Sequence, residues 1–186
     1  MNRILISIIG PTSIGKTNLT IKLAKYYKTE ILSCDSKQFY KELKIGTSRP
    51  TQKQLKTIKH HFIGNLNVKQ DYNIYKFYKD INKKLKKLFK KYNILFMVGG
   101  SCLYETTIIE GINYIPKINK KKINNYRNKL NKINIKLLLK ELKKKDNFFF
   151  NFILKNKKDK RKIIRALEVL HFTKKKFSFF LKKKKN

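Results

Sequence analysis

Apolar residues in the first hundred positions fall into short unbroken runs with helical patterns between them. The runs Ile4–Ile9, Glu30–Cys34 and Ile94–Val98 have the length and composition of buried β-strands. Elsewhere apolar residues recur every three or four positions, which predicts helices over residues 16–27, 72–92 and 102–110. Strands that alternate with helices are typical of a parallel sheet with helices on both faces. The sequence therefore predicts an α/β fold.

The pattern changes beyond residue 116, where no further strand is predicted. Apolar residues at helical spacing predict a helical insertion over residues 117–160 and a last helix over residues 158–173. We expect three segments along the chain. They are an α/β core at 1–116, the insertion at 117–160, and a return helix with a basic tail at 161–186.

The charge of the chain is extreme, since its 186 residues carry a formal net charge of +36. A charge of this size favours a polyanionic partner such as a nucleic acid. The excess of lysine, together with frequent asparagine, isoleucine and phenylalanine, is equally typical of proteins encoded by A·T-rich genomes. The charge therefore permits RNA binding without establishing it. A hydrophobic fraction of 41% is sufficient for a folded core.

Cysteine usage and the N-terminus indicate an intracellular protein. Cys34 and Cys102 are far apart and form no C-x-x-C pair, which argues against a disulfide framework or a zinc site. The first apolar run is too short for a signal peptide, and no stretch approaches the roughly 20 apolar residues of a membrane span. We therefore expect a cytoplasmic monomer without a membrane partner.

The stretch GPTSIGKT matches the pattern G-x-x-x-x-G-K-[ST] of ATP-binding and other nucleotide-binding P-loops. Its glycines let successive N–H groups face a phosphate, Lys16 adds a positive charge, and the Thr17 hydroxyl can bind Mg²⁺. A strand before the loop and a helix after it provide the required context, so a turn that binds nothing is the weaker interpretation. The predicted phosphate-binding residues are Gly10, Pro11, Thr12, Ser13, Ile14, Gly15, Lys16 and Thr17.

Two further polar groups follow strands at the same edge of the predicted sheet. Asp35 can act as a general base toward a nucleophile that approaches the bound phosphates, with a helix N-cap or a magnesium-organising residue as the alternatives. Ser101 follows Gly99 and Gly100, and either offers its hydroxyl to a ligand or caps the next helix. The third strand ends in these glycines rather than in the acid with which P-loop kinases and hydrolases hold magnesium.

Five stretches together resemble the tRNA dimethylallyltransferases, in that family's order and over essentially the whole chain. They are GPTSIGKT, ILSCDSKQFYKELKIGTSRPT, HHFIG, VGGSCLYETTIIEGI and DKRKIIRALEVLHFTKKKFS. The resemblance implies a P-loop NTPase-like fold. It also implies an enzyme that transfers a dimethylallyl group from dimethylallyl diphosphate to N6 of the tRNA adenosine just 3′ of the anticodon. Family members usually continue well beyond the last of these stretches, and we expect the rest of the core to be missing from this chain.

The resemblance also implies roles for individual residues. Asp35 would accept a proton from the adenine amine, Lys16 and Mg²⁺ near Thr17 would stabilise the departing diphosphate, and Ser101 would complete the catalytic set. The family has a pair like His60-His61, for which we expect a structural or substrate-loop role rather than metal binding. The residues expected to contact the tRNA anticodon stem-loop are Asp35, Ser36, Lys37, Gln38, Ser101, Arg127, Arg161, Lys162, Ile163, Ile164 and Arg165.

Three other functions stay open at this point. A P-loop kinase of a small molecule or nucleotide would use the same loop, but it normally has an acid where this chain has Gly99. An adenylate prenyltransferase would take a free nucleotide in place of tRNA, and the basic insertion argues against it. A non-catalytic tRNA-binding remnant would keep the charge and salt-dependent RNA binding without turnover.

Overall fold

The computed structural model describes residues 2–116, 118–156 and 159–181. Contacts divide the chain into a first unit, Met1–Ile112, and a second unit, Asn113–Asn186. The division predicted from the sequence, after residue 116 and again after residue 160, stays a prediction. Parts of the predicted insertion, last helix and basic tail lie outside the described residues, namely 117, 157, 158 and 182–186.

Strands alternate with helices throughout the first unit. Its elements are β1 Ile4–Ile9, α1 Lys16–Tyr26, β2 Ile31–Ser33, α2 Gln52–Thr57, β3 His60–His61, α3 Ile74–Leu88, β4 Ile94–Gly99 and α4 Cys102–Glu110. The four strands form one parallel sheet in the order β1-β4-β2-β3. The predicted parallel α/β sheet is thereby confirmed.

Successive residues of the inner strands β2 and β4 face opposite sides of the sheet, and each side is covered by a helix. One side holds Ile31, Phe96 and Val98 against α1. The other side holds Leu32, Leu95 and Met97 against α3. Both faces of these strands are therefore buried, as is usual in parallel sheets. The expected arrangement of helices on both faces is confirmed as well.

β1 has the predicted bounds but lies at the edge of the described sheet. It pairs with β4 in a register that aligns Ile4 with Ile94 and Ile9 with Gly99. The sequence predicts a buried strand here, whereas Ile4 is 47% and Ile6 36% exposed. An edge strand lacks a neighbour on its outer side, so apolar content alone does not decide its burial.

Two short elements of the first unit were not predicted. α2 begins at a capping box, in which Thr51 accepts the N–H of Gln54 at 3.2 Å and the Gln54 side chain accepts the N–H of Thr51 at 2.8 Å. β3 consists of His60 and His61 alone and pairs with β2. The T-x-x-Q signal of α2 is present in the sequence, but two residues carry no periodicity from which β3 could be predicted.

The described part of the second unit contains helices and no strand. Its elements are α5 Lys120–Asn131, α6 Ile135–Lys145, α7 Asn147–Lys155, α8 Lys160–Thr173 and α9 Phe177–Phe180. Each of α5 to α8 begins at an Asn or Asp whose side chain accepts a backbone N–H of the first turn. The apolar faces meet in one core around Leu138, Leu142, Ile153 and Ile163. None of the described helices in either unit is long and apolar enough to cross a membrane.

Candidate active site

The loop GPTSIGKT, predicted to bind phosphate, connects β1 to α1 at the edge where the parallel strands end. Gly15 precedes α1 with φ at 88°, a conformation that favours glycine. Glycine has no side chain with which to cap the first N–H groups of α1. These groups and the helix dipole therefore make this end of α1 suitable for an anion.

Lys16 and Thr17, the first residues of α1, are half-buried and line a common cleft. The Lys16 ammonium donates a hydrogen bond to the backbone carbonyl of Pro11, so the side chain folds back over its own loop. One turn later, the Thr20 hydroxyl donates to the carbonyl of Lys16 at 2.7 Å and supports the first turn of the helix. The loop thus presents an ammonium group and a hydroxyl group to the same space.

The cleft in front of the loop has a volume of about 270 Å³. Three parts of the first unit form it: the P-loop with the start of α1, the segments after β2, and the glycines that end β4. The lining residues are Thr12, Ser13, Gly15, Lys16, Thr17, Asn18, Asp35, Gln38, Ser48, Arg49, Pro50, Gln54, Val98, Gly99 and Gly100. The volume is near the lower limit for small-molecule pockets, which suits a diphosphate with a short organic group.

Asp35 lies in this cleft, just beyond the end of β2. Its Oδ1 accepts the N–H of Lys37 at 3.0 Å, and residues 36–39 form turns instead of an α-helix. The alternative of a helix N-cap is therefore wrong. Among the described residues no salt bridge involves Asp35. Its Oδ2 lies 3.6 Å from the position that a Cβ on Gly100 would occupy, on the side of the cleft.

Gly99 allows the ends of β2 and β4 to approach closely. A Cβ at this position would lie 2.5 Å from Sγ of Cys34 and 2.9 Å from the Cys34 carbonyl carbon. Burial raises the pKa of the Cys34 thiol to about 12, so this cysteine is a packing group and not a nucleophile at neutral pH. The missing side chain of Gly99 thus brings Asp35 up to the end of β4.

Ser101 is the N-cap residue of α4, but its side chain does not cap that helix. Its hydroxyl instead accepts the N–H of Ser36 at 3.3 Å and lies 3.4 Å from the Ser36 hydroxyl. The simple capping role considered for Ser101 is therefore wrong. The contact joins the turn after β2 to the turn after β4 and places two hydroxyl groups beside Asp35.

Gln38 differs from its neighbours Ser36 and Lys37 because it is buried. Its amide oxygen accepts from the Ser33 hydroxyl at 3.0 Å. Its amide nitrogen donates to the carbonyls of Thr47 and Ser48 at 3.1 Å each. Gln38 thereby ties the segment around residue 48 to the end of β2, while Lys37 is exposed to solvent. The expected contacts of these residues with tRNA stay predictions.

Arg49 was missed by the sequence analysis, although it lines the cleft. Its Nη1 lies 3.5 Å from the carbonyls of Tyr40 and Lys41, and its guanidinium crosses Gly64, where a Cβ would lie 1.8 Å from Nη2. Gln54 of α2 also lines the cleft and donates to Asn18 at 2.7 Å. The stretch GTSRPT was recognised as part of a family motif, but nothing in its spacing indicates a side chain in the cleft.

The oxygen atoms of the cleft suit Mg²⁺, which prefers carboxylate, hydroxyl and phosphate ligands. Asp35 supplies a carboxylate to the lining of the cleft, and the lining residues with a hydroxyl group are Thr12, Ser13, Thr17 and Ser48. Within the described residues there is no group of three or more His, Cys, Asp or Glu side chains that could hold a metal ion. A magnesium ion in this cleft would therefore depend on phosphate oxygens of a substrate for part of its coordination.

His60 and His61 lie in β3 and bind protein groups of the first unit. His61 Nε2 lies 2.5 Å from Oε2 of Glu30, whose other oxygen accepts the Tyr92 hydroxyl at 3.1 Å. His60 Nδ1 lies 2.8 Å from the Ile58 carbonyl. Burial lowers the pKa of both histidines, and for His61 the bond to Glu30 offsets only part of this effect. Burial would raise the pKa of Glu30, but its hydrogen bonds and the nearby charges outweigh burial and lower this pKa. A neutral His61 that donates to an ionised Glu30 fits the lowered pKa of each residue.

In the second unit, the structure brings two of the predicted tRNA-contacting arginines together. Arg127 donates to both oxygens of Glu168, at 2.6 and 3.0 Å, and Arg165 donates to the same carboxylate at 3.3 Å. The bond to Glu168 raises the pKa of Arg127 despite some burial. Ile163 and Ile164 lie in the core of the unit, whereas Arg161 and Lys162 are exposed. The sequence analysis did not predict the role of Glu168.

A model of the IPP transferase family matches residues 38–186 of the chain. The chain belongs to this family. It is 42% identical to the tRNA dimethylallyltransferase of Christiangramia forsetii over 185 residues, which cover 100% of the chain and 61% of that protein. The predicted family is therefore confirmed, and the chain spans about 60% of the length of the curated relatives that it matches.

Two solved structures are similar to the chain. The tRNA delta(2)-isopentenylpyrophosphate transferase of Staphylococcus epidermidis is 30% identical with a TM-score of 0.56, over 96% of this chain and 58% of its own. Crystal structures of a eukaryotic dimethylallyltransferase show that enzyme as it acts on tRNA. It has a TM-score of 0.72 at 22% identity, over 99% of this chain and 45% of its own. The latter similarity shows the fold, and the predicted P-loop NTPase-like fold is confirmed.

Proposed function

We propose that the chain transfers a dimethylallyl group from dimethylallyl diphosphate to N6 of the tRNA adenosine just 3′ of the anticodon. One observation carries the proposal: the P-loop and Asp35, which forms no salt bridge with any described residue, line the same cleft, and the strand between them ends in glycine. This arrangement fits a bound diphosphate that leaves while a nucleophile approaches the acid. Membership of the IPP transferase family supports the same reaction.

The first part of the proposed reaction is the departure of the diphosphate. The bond between the allylic carbon and the diphosphate oxygen breaks, and the oxygen keeps the electron pair. Lys16 and the N–H groups at the start of α1 stabilise the charge that grows on the leaving group. Mg²⁺, held by the Thr17 hydroxyl and substrate phosphates, would supply further neutralisation of this charge.

The second part is attack by the adenine amine on the allylic carbon. The new N–C bond forms with the lone pair of N6, and a proton must leave this nitrogen. We propose that Asp35 accepts it, since Asp35 lines the cleft, its Oδ1 accepts the N–H of Lys37, and its Oδ2 lies near Gly100, which also lines the cleft. Ser101 and Ser36 adjoin this position and are proposed to orient the base of the acceptor.

The tRNA is proposed to contact both units of the chain. In the first unit the contacts are expected at Asp35, Ser36, Lys37, Gln38 and Ser101. In the second unit they are expected at Arg127, Arg161, Lys162 and Arg165, which are at least partly exposed. Ile163 and Ile164 are buried, so the proposal gives them a role in holding α8 in place. A monomer that acts on cytoplasmic tRNA is the simplest form of the enzyme.

Mass spectrometry of tRNA provides the direct test of this function. The full chain is incubated with tRNA, dimethylallyl diphosphate and Mg²⁺, and the nucleosides are then analysed. The proposal predicts isopentenyl adenosine at the position 3′ of the anticodon. No such product at any concentration of the chain would contradict it, and parallel reactions with AMP in place of tRNA would detect a free-nucleotide acceptor.

A non-catalytic tRNA-binding protein is the second candidate, because the formal net charge of +36 favours a polyanionic partner whether or not the chain is catalytic. This candidate predicts tRNA binding that weakens steeply with salt, together with no turnover. The kinase alternative has less support, since β4 ends in Gly99 and not in an acid. Phosphorylation of a small acceptor by ATP, with no use of dimethylallyl diphosphate, would favour the kinase.

A further inference from the structure

A buried acid in the second unit links two arginines that come from different helices. Glu168 of α8 is fully buried, and it receives Nε–H and Nη2–H of Arg127 from α5. It also receives Nη1–H of Arg165, which lies one turn earlier on α8. Arg127 Nη2 and Arg165 Nη1 both donate to Oε2, so the two guanidinium groups lie side by side at a single oxygen atom.

The two guanidinium groups keep donors for a further anion. A guanidinium has five N–H bonds, and the bonds to Glu168 use two of them on Arg127 and one on Arg165. The side chains of Arg127 and Arg165 are 45% and 40% exposed, whereas that of Glu168 is at 0%. One buried negative charge thus faces two half-exposed positive charges, and the surface retains a net positive charge with N–H donors in a fixed orientation.

We propose that Glu168 is a positioning residue that holds Arg127 and Arg165 together as a binding site for an RNA phosphate. Arginine binds phosphate well because its planar fork matches two phosphate oxygens, and holding two such forks in place reduces the entropy lost on binding. The inference rests on the proposed tRNA substrate and adds to it a buried residue that does not itself touch RNA. It also gives a reason for the buried acid between two arginines.

A positioning role for Glu168 and a general effect of its charge predict opposite changes in RNA binding when the charge is removed. Removing a negative charge from a basic protein should by itself strengthen RNA binding. Glu168→Gln removes such a charge, yet the positioning role predicts weaker binding because the arginines lose their common anchor. Glu141→Gln is the matched control, since Glu141 forms an ion pair with Lys145 on α6 and, within the described residues, makes no hydrogen bond or ion pair with either arginine.

Fluorescence anisotropy with a labelled tRNA transcript, over a range of salt concentrations, measures both effects. For Glu168→Gln we expect binding on the order of tenfold weaker, as for the loss of a hydrogen bond to a charged group, and a salt slope smaller by about one. For Glu141→Gln we expect unchanged or slightly tighter binding and an unchanged slope. Binding by Glu168→Gln that matches this control would overturn the inference while leaving the proposed function intact.

Two further measurements guard the result against a folding defect. Thermal denaturation shows whether Glu168→Gln is folded. We expect it to fold, because Tyr126 of α5 also stacks on His171 of α8, with ring centroids 4.1 Å apart. If it is unfolded, Arg127→Lys decides, because lysine keeps the charge but cannot form the paired bonds to Glu168. Unchanged affinity of Arg127→Lys would overturn the inference, and absence of tRNA binding by the unmodified chain would overturn it together with the proposed substrate.

Discussion

Asp35 in the first unit and Glu168 in the second are both acids among residues expected to meet tRNA, yet their surroundings are opposite. Asp35 is partly exposed in a cleft, and within the described chain no cation pairs with it. Glu168 is fully buried and receives three hydrogen bonds from two arginines. A buried acid that accepts hydrogen bonds from two guanidinium groups fixes the positions of both. An acid that lines a cleft has its oxygen atoms near any ligand bound there, as the proposed reaction requires of Asp35.

The two units also differ in the elements that carry these groups. The groups of the first unit lie in turns after β1, β2 and β4, where parallel strands end at a common edge. Such turns place backbone N–H groups and short side chains around a small ligand. The basic groups of the second unit lie on helices, whose regular faces present long side chains to an extended partner. The difference fits chemistry in the first unit and RNA binding in the second.

The largest expected effect concerns Asp35. Asp35→Asn is nearly isosteric, and it should lower turnover about 10²–10⁴-fold, the usual contribution of a general base. The apparent affinity for dimethylallyl diphosphate should change little, because the acid acts on the incoming amine. Steady-state kinetics with tRNA measure both quantities. Asp80→Asn, at an exposed acid bonded to Tyr72, is the control and should leave turnover unchanged. Equal losses of turnover in Asp35→Asn and Asp80→Asn would contradict the role of Asp35 as the base.

Replacement of Lys16 should affect substrate binding as well as turnover, unlike replacement of Asp35. In the proposed reaction its ammonium meets charge that is present on the bound diphosphate and grows as the diphosphate leaves. Lys16→Ala should therefore weaken the binding of dimethylallyl diphosphate and also slow the reaction, by about 10²–10³-fold in turnover. Isothermal titration and single-turnover kinetics separate the two effects. Lys22→Ala, an exposed position on the same helix, should behave like the unmodified chain. Normal diphosphate binding by Lys16→Ala would exclude the P-loop as the diphosphate site.

A moderate effect on stability is expected at the glycine pair after β4. Gly99→Ala should reduce the free energy of unfolding by about 1–3 kcal/mol, since its Cβ would lie 2.5 Å from Cys34 Sγ. Gly100→Ala should have a much smaller effect on stability, because its Cβ would meet Asp35 Oδ2 at 3.6 Å, an ordinary contact. Urea denaturation of the two variants gives the comparison. Equal stability of both would show that the close approach at Gly99 is not required.

The smallest expected effect is a loss of stability at mildly acidic pH. Burial lowers the folded pKa of His60 and His61 below the ordinary value of 6.5, so protons bind the unfolded chain first as the pH falls. Glu30 has a lowered pKa and adds a loss in the same direction below its ordinary value of 4.5. The thermal midpoint should fall between about pH 7 and pH 5.5. Replacing both histidines by glutamine should flatten this part of the profile, and an unchanged profile would contradict the assignment.

Much of the first unit could be predicted because its signals are local. The runs at Ile4–Ile9 and Ile94–Val98 are long enough to identify as strands, and GPTSIGKT has its glycines and lysine in fixed positions. The same signals did not indicate that β1 lies at an edge of the described sheet, since this depends on which strands are neighbours. They also did not indicate Arg49, whose place in the cleft depends on contacts with Tyr40, Lys41 and Gly64.

The pairing of Arg127 with Glu168, like the place of Arg49, depends on contacts between residues that are distant in the sequence. The two residues are 41 positions apart on different helices, so no periodicity connects them. Helical spacing predicted a helical insertion over residues 117–160 and a last helix over residues 158–173, but the charges that meet between α5 and α8 depend on how the helices pack. The resemblance to a known family named both arginines as RNA contacts. It gave no reason for the acid that joins them.

The most direct test of Asp35 as the base is a Mg²⁺ titration of Asp35→Asn and the unmodified chain, with turnover on tRNA as the readout. If Asp35 accepts the proton of the amine, turnover of the variant stays low at every Mg²⁺ concentration, and both proteins have the same midpoint for Mg²⁺. If Asp35 instead organises the metal, the variant needs more Mg²⁺ and recovers its turnover when the ion is in excess. Low turnover at saturating Mg²⁺ is the predicted result, and rescue by excess Mg²⁺ would contradict the account.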